Sequence, residues 1–486
     1  MSVVDTAPLV SIPRGLQDRF RAVARLGGCS QPIRVRGDVR HVLPDGRVRL
    51  AYSTRREPGC VMLVPCGNRR ASRCPSCAET YRADTFHLIR AGLLGGDKGV
   101  PATVRTHPRV LATFTAPGFG AVHAHRPRKD ERRGLRLPCH PRRNAATCPH
   151  GRRMSCTDRH EADDELVGQP LCADCYDYTG HVLWNAEVGR LWQRFTMRLR
   201  RELAQLAGLT EAAFNRQARV SFAKVAEFQA RGMVHFHAVI RVDGRDSDGD
   251  LADAPDWATV ELLADAIRAA AAGVHVSSPN DPASGGSRRI VFGHVDVAPI
   301  VADELTGAEM TEEKVAGYIA KYATKGATTE GTVDRRIKER GDIDGLALTP
   351  HQRRLIDTCW QLGDTDAHPK LAGLRLRPWA HMLGYRGHFS TKSRRYSTTL
   401  GALREVRCSF RRQQALKQGG DRWQPVDSST LVIATWHFAG QGYVDAADTY
   451  IATLVRQERE ERRRSRWPQT RPVNQPRNVP KEGVAA

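Results

Sequence analysis

The spacing with the most chemical content lies in the stretch 224–242, KVAEFQARGMVHFHAVIRV. His235 and His237 are two apart, so on a strand both project from one sheet face while Phe236 points to the other. The preceding apolar run folds back through a turn centred near Arg231, with Gly232 inside it. That pairing sets Glu227 opposite His235 on the same face. Two imidazoles and a carboxylate then converge on one point. A mixed nitrogen and oxygen site with open positions suits Mg²⁺ or Mn²⁺ bound during phosphate chemistry. Gln229 is a weaker ligand because it lies nearer the turn. A lone His-x-His is more often a hairpin with two surface histidines. Glu227 in register, together with the next motif, reverses that preference.

Residues 315–326 read VAGYIAKYATKG. Tyr318 and Tyr322 are four apart on a predicted helix and share a face. Lys321 lies three beyond Tyr318, and Lys325 three beyond Tyr322. A tyrosine hydroxyl, with a pKa of about 10, is a poor nucleophile at neutral pH. A neighbouring ammonium and a metal-polarised phosphate both lower its barrier to attack. An amphipathic helix with core tyrosines is the bland alternative, but lysines on the tyrosine face and flanking Gly317 and Gly326 argue against it.

The elements around these motifs follow from periodicity. Residues 109–115 give a short apolar strand ended by Pro117 and Gly118. Residues 183–207 carry apolar positions at helical spacing. Strands are expected at 218–228 and 234–242, a helix at 257–272 and a strand at 288–297. Thr311 is the expected N-cap of a helix running to about 325, with Glu312 and Glu313 at its positive end. This order predicts an α+β domain with an antiparallel sheet of the split β-α-β kind.

HFH followed by YIAKYATK resembles the second and third motifs of rolling-circle replication initiators of the HUH superfamily, and LATFT (111–115) sits where their first motif is found. The resemblance implies an HUH nuclease core. It gives His235, His237 and Glu227 as metal ligands and Lys321 and Lys325 as the lysines of the tyrosine motif. Tyr318 and Tyr322 would act alternately, one nicking the origin and the other resolving the product. The wider chain, from about 20 to 455, resembles initiators of actinobacterial plasmids and integrative conjugative elements. The carriers are GQPLCADCYDYTGHVLWN (168–185), EFQARGMVHFH (227–237) and MLGYRGHFSTKSRRYSTT (382–399).

The chain has 486 residues, 40% hydrophobic, and a formal net charge of +22, which points to a polyanionic partner such as DNA. No stretch is apolar enough for a membrane span and the N-terminus shows no secretory pattern, so a cytoplasmic protein is expected. Its 12 cysteines then read as metal ligands or buried thiols rather than disulfides. Cys60, Cys66, Cys74 and Cys77 form one expected structural zinc site. Cys148, Cys156, Cys172 and Cys175 form a second, with Cys139, His140, His150 and His160 competing for the same metal.

The expected organisation is a basic N-terminal region (1–100) with the first zinc cluster and an endonuclease domain (101–330) with a Cys/His-rich insertion at 120–180. A mostly helical DNA-binding or accessory region (331–455) and a disordered basic tail (456–486) follow. In residues 383–399, Arg386, Lys392, Arg394 and Arg395 are candidate phosphate contacts, and Tyr385, Phe389 and Tyr396 are candidates to stack on unpaired bases. A basic surface strand pair explains that segment equally well.

Two other functions compete. A conjugative relaxase usually carries its tyrosine before the histidines; here the tyrosines follow them by about 80 residues, counted along the chain. A non-catalytic zinc-dependent DNA-binding regulator leaves HFH and the paired tyrosines without a reason. No G-x-x-x-x-G-K-[ST] loop is present, so unwinding is expected to need a host helicase.

Overall fold

The computed structural model describes residues 14–96, 98–126, 137–144, 146–281, 286–300, 311–324, 333, 335–417 and 431–466. In chain order the elements are α1 (Arg14–Ala24), β1 (Ile33–Val42), β2 (Val48–Ser53), β3 (Met62–Val64), α2 (Pro75–Leu94), β4 (Arg109–Phe114), α3 (Tyr178–Leu206) and α4 (Glu211–Gln217). The hairpin β5 (Ala218–Phe228) and β6 (Val234–Arg245) follows, then β7 (Leu251–Ala252), α5 (Val260–Gly273), β8 (Val276–Asp281), β9 (Gly286–Ile290), β10 (Val295–Pro299) and α6 (Glu312–Thr324). The last are α7 (Gly341–Asp344), α8 (Pro350–Leu362), β11 (Ser390–Lys392), α9 (Leu400–Lys417), β12 (Leu431–Gln441) and α10 (Ala446–Arg466). Among the described residues no helix is long and apolar enough to cross a membrane.

The chain divides into two compact units, one of Met1–Tyr81 with Val406–Ala486 and one of Arg82–Glu405. This differs from the consecutive segments expected. In the first unit β1 pairs antiparallel with β12 along its whole length, from Ile33↔Gln441 to Val42↔Leu431. β12 (LVIATWHFAGQ) is rich in β-branched and aromatic residues that suit a pleated surface. The expectation of a mostly helical 331–455 region misses this strand, because its partner lies nearly four hundred residues away in sequence.

The second unit is built on an antiparallel sheet in the order β10-β4-β6-β5-β11, with β7 on the end of β6. One face of this sheet is apolar. Ala112, Phe114, Ala226, Phe228, Phe236, Ala238 and Ile240 are all buried there. α3 covers it with a stripe at helical spacing, Trp184, Val188, Leu191, Phe195, Leu199 and Leu203, every one buried. Phe114 meets Phe195 edge-on at 4.7 Å between ring centroids, and Phe236 meets Trp192 at 5.7 Å. Each such aromatic removed from water contributes roughly 1.5–3 kcal/mol. Asp177 starts α3 by accepting from the Gly180 N–H at 2.8 Å.

The strand expected at 288–297 is two strands. β9 pairs with β8, whereas β10 pairs with β4. The break falls at Gly293, whose N–H donates to Thr115 O, and where a Cβ would lie 2.6 Å from Ala116 O. Only glycine lets the backbones approach that closely.

The opposite sheet face carries the sheet's polar groups beside buried Leu111, Val225 and Val239, and α6 packs over it. Glu312 in its first turn makes a buried ion pair with Arg109 of β4 at 2.7 Å. Thr311 accepts from the Lys314 N–H at 3.4 Å, as an N-cap does. These contacts fix the start of α6 over the strand that neighbours His237.

Candidate functional site

In the hairpin, Glu227 pairs with His235 and Val225 with His237. The turn needs Gly232 at φ +81°, and Gln229 N–H donates to Met233 O to close it. One carboxylate oxygen, Glu227 Oε2, lies 2.9 Å from His235 Nε2 and 3.1 Å from His237 Nε2. Neighbouring ligands around an octahedral Mg²⁺ are about 2.9 Å apart. The donor set and its spacing fit a divalent ion at the point where these three atoms meet. The side chains of Glu227, His235 and His237 are 8%, 13% and 3% exposed, His235 being the most open of the three. Gln229 stands outside this convergence, its amide oxygen accepting from Arg231 Nε at 3.0 Å.

The second nitrogen of His237 is also engaged. Thr113 of β4, directly across the ladder from His237, places Oγ1 3.1 Å from His237 Nδ1. With Nε2 turned to a metal, Nδ1 carries the proton and donates to Thr113, which fixes the ring. Tyr318 Oη lies 3.5 Å from the same Nδ1, and the two rings meet edge-on at 5.0 Å. So the hydroxyl of a half-buried Tyr318 stands beside a candidate metal ligand. Lys321 is exposed on α6. Tyr322 lies on α6 one turn beyond Tyr318, while Lys325 falls outside the described residues. The local sequence marks Thr113 only by its place in the strand LATFT.

Further along this sheet face is a buried polar cluster. Asp243 accepts from Ser221 Oγ at 2.6 Å and from Arg241 Nη2 at 3.0 Å, and meets His107 Nδ1 at 2.9 Å. Burial alone would raise the Asp243 pKa, but His107, Arg241 and Ser221 outweigh it and hold the carboxyl below its ordinary value. Arg241 also reaches Gly92 O, tying α2 to the sheet. On the apolar face, Lys224 is buried with Nζ 3.6 Å from the Phe236 ring centroid.

The cysteine groups differ from those expected. Cys29, not Cys60, joins Cys66, Cys74 and Cys77. Cys60 is exposed at φ +55°, its sulfur 3.9 Å from Arg55 O. The chain leaves α1 through Gly27 and Gly28, both at positive φ, and this turn delivers Cys29 to the group. The sulfurs of Cys29 and Cys74 are 3.8 Å apart, and those of Cys66 and Cys77 are 3.7 Å apart. A tetrahedral zinc with bonds of about 2.3 Å requires sulfurs about 3.8 Å apart. Hydrogen bonds from Cys29 and Cys77 pull the Cys74 thiol well below its ordinary value, while Cys29 is pushed up to about 12.

The expected second set, Cys148, Cys156, Cys172 and Cys175, is split. Cys156 groups with His123, Cys139 and His160, whereas Cys148, Cys172 and Cys175 group with His150. His140 belongs to neither group. Nothing in the local spacing singled out His123.

The basic segment 383–399 is more built-in than expected. Tyr385 and Tyr396 are fully buried and Phe389 nearly so, so these rings cannot stack on bases. Lys392 Nζ donates to Ser397 O at 2.9 Å, Arg386 to Gly373 O at 2.9 Å, and Arg395 pairs with Asp250 at 2.5 Å. Arg394 is exposed.

The sequence matches the RepSA family model, described as replication initiator protein, pSAM2, over residues 16–457. It is 46% identical over 443 residues to a replication initiator protein from Streptomyces ambofaciens, which spans 89% of this chain and 88% of that protein. No solved structure matches the chain.

Proposed function

The chain belongs to the RepSA family of replication initiators, and on that premise we propose that it nicks one DNA strand at a plasmid or integrative-element origin through an HUH-type site. A tyrosine hydroxyl would attack the scissile phosphate and start rolling-circle replication. The observation that carries this reading is the convergence of Glu227, His235 and His237 with the Tyr318 hydroxyl 3.5 Å from His237 Nδ1.

Mg²⁺ or Mn²⁺ held by these three residues would draw charge from the scissile phosphate. Tyr318 Oη forms a bond to phosphorus as the bond to the 3′ oxygen breaks, and the proton ends on the departing 3′ hydroxyl. The strand's 5′ end is left as a phosphotyrosine ester. Because the phosphodiester energy is kept in that ester, a second hydroxyl can rejoin the strand. His237, its Nδ1–H held by Thr113, fixes the ring against which Tyr318 packs edge-on. Tyr322, one turn along α6, is the second nucleophile of the proposal, and Lys321 and Lys325, each three residues beyond a tyrosine in the sequence, are its proposed cations.

DNA is the partner, met as duplex origin and as the single-stranded nick site, and a host helicase supplies unwinding. Arg386, Lys392, Arg394 and Arg395 are proposed phosphate contacts; Arg394 and Arg395 are exposed, and Arg395 is engaged with Asp250. The group Cys29, Cys66, Cys74 and Cys77 is proposed as a structural zinc site, since four thiolates leave no position for water.

The test is incubation of purified protein with single-stranded origin DNA and Mn²⁺, followed by denaturing electrophoresis and mass spectrometry of the DNA-linked peptide. A covalent adduct on the 315–326 peptide is expected. Tyr318→Phe and Tyr322→Phe should each still nick but fail to support plasmid replication, and the double variant should form no adduct. Full nicking by the double variant overturns the chemistry; adduct on Tyr318 alone, with normal replication by Tyr322→Phe, reduces it to a one-tyrosine mechanism.

A further inference from the structure

We propose that the segment between β4 and α3 is a two-zinc module with interleaved ligand pairs, and that it clamps the hairpin carrying Glu227 and His235. The clamp rests on the reading of that hairpin as a divalent-metal site; the zinc module does not.

The ligands alternate along the chain. His123 and Cys139 belong to one group, Cys148 and His150 to the other, Cys156 and His160 to the first again, and Cys172 and Cys175 to the second. Each connection between successive pairs therefore runs from one site to the other. Their spacings are those of tetrahedral edges. Around zinc, sulfur–nitrogen edges are about 3.5 Å and nitrogen–nitrogen edges about 3.3 Å. Cys156 Sγ is 3.5 Å from His160 Nε2, Cys139 Sγ is 3.8 Å from His123 Nδ1, and His123 Nδ1 is 3.0 Å from His160 Nε2. In the other group His150 Nδ1 is 3.3 Å from Cys175 Sγ and 3.7 Å from Cys172 Sγ.

The surroundings are those of metal ligands. His160 turns its other nitrogen to Asp164 Oδ2 at 2.7 Å, the carboxylate–histidine arrangement that orients a zinc-bound imidazole. Cys139 Sγ accepts the Ala124 N–H at 3.2 Å, as a thiolate does. Among the described residues from Thr115 to Asp177 there is no helix or strand, only three isolated bridges. A segment without a ladder or core of its own needs metal to hold one conformation. Because the pairs interleave, losing one ion frees the loops that position the other's ligands.

The module touches the hairpin at its turn. Gly168, at φ +90°, lies so close that a Cβ there would be 2.5 Å from Ala230 C and 2.7 Å from Arg231 N. The other sides of the turn are held by His181 Nε2 and Asn185 Nδ2, at 3.0 and 3.1 Å from Gly232 O, and by His351 Nε2 at 3.0 Å from Arg231 O. Tyr176, next to the ligand Cys175, meets His181 Nδ1 through its hydroxyl at 2.9 Å. One end of the clamp is thus a rigid helix and the other is the zinc module.

The test uses the full chain, purified reduced and zinc-loaded. Elemental analysis should give three zinc ions per chain, the third at the Cys29 group. Cys172→Ser should lose two ions together, keeping one. Loss of a single ion shows independent sites and overturns the interleaved module, as does a wild type holding only one. Should Cys172→Ser be insoluble, chelator titration of wild type replaces it: two ions must leave in one step, and separate steps overturn the proposal. Mn²⁺ affinity, read by electron paramagnetic resonance, tests the clamp. Gly168→Val keeps every ligand, so zinc content should stay at three while Mn²⁺ binding weakens at least tenfold; unchanged Mn²⁺ affinity overturns the clamp. Absence of Mn²⁺ binding in wild type overturns the hairpin's metal reading and the clamp with it, while zinc content judges the module separately.

Discussion

Replacing Thr113 by valine removes one hydroxyl and leaves the side chain's shape. The hydroxyl is the acceptor 3.1 Å from His237 Nδ1, at the rung of the ladder opposite His237. With a metal on Nε2, the Nδ1–H loses its partner and the imidazole loses its orientation. Losing such a partner costs about 10–100-fold in metal affinity. Two features place this case at the lower end. Thr113 is only half-buried, and Tyr318 Oη stands 3.5 Å from the same nitrogen as a substitute acceptor. The expected loss is therefore about tenfold in Mn²⁺ affinity, or roughly 1.4 kcal/mol. Valine is well suited to a strand, so thermal stability should not fall. The assay is Mn²⁺ titration followed by electron paramagnetic resonance, with nicking measured at low and saturating Mn²⁺. Nicking should fall at low Mn²⁺ and recover at saturation, and Thr113→Ser should behave as wild type. Thr113→Val binding Mn²⁺ within twofold of wild type would refute the reasoning that His237 is oriented through this hydroxyl.

His235→Ala and His237→Ala should each abolish nicking while duplex origin binding, followed by gel shift, survives; wild-type cleavage by the double variant shows the site is misassigned. Cys29→Ser should cost one zinc ion and lower the melting temperature, whereas Cys60→Ser should change neither, as elemental analysis and calorimetry will tell. Burial pushes the Lys224 ammonium from 10.5 down to about 7, which corresponds to roughly 5 kcal/mol against the charged form. Because the folded value lies below the unfolded one, stability should rise as pH climbs from about 7 toward 10.5. Lys224→Met should remove that slope and gain roughly 4 kcal/mol at pH 7 in urea unfolding; a flat wild-type profile and an unstabilised variant would contradict it.

Period and register made the hairpin legible from sequence. A strand repeats every two residues, so His235 and His237 had to share a face, and a turn centred on Arg231 had to bring Glu227 opposite His235. The helix bearing Tyr318 was legible for the same reason, its cap at Thr311 and its acids at Glu312 and Glu313 being local signals. That Glu312 also makes a buried ion pair with Arg109, two hundred residues earlier, was not. Local pattern says which face a side chain takes, not what lies across from it.

Tertiary structure alone decided the partners that are distant in sequence. Cys29 replaced Cys60 because a double-glycine turn after α1 carries it to Cys74, while Cys60 sits on a surface turn. Eight cysteines and histidines sorted into two alternating groups because the fold decides which side chains meet in space, and spacing along a loop does not encode that distance. Tyr385 and Tyr396 look like base-stacking rings in a basic segment, yet the fold buries both, since an aromatic's type does not say which side of a surface it will face. β12 was unreadable as the partner of β1 because strand pairing is set by closure of the whole chain. The sequence determined the chemistry available and the faces that present it; the fold determined which groups meet.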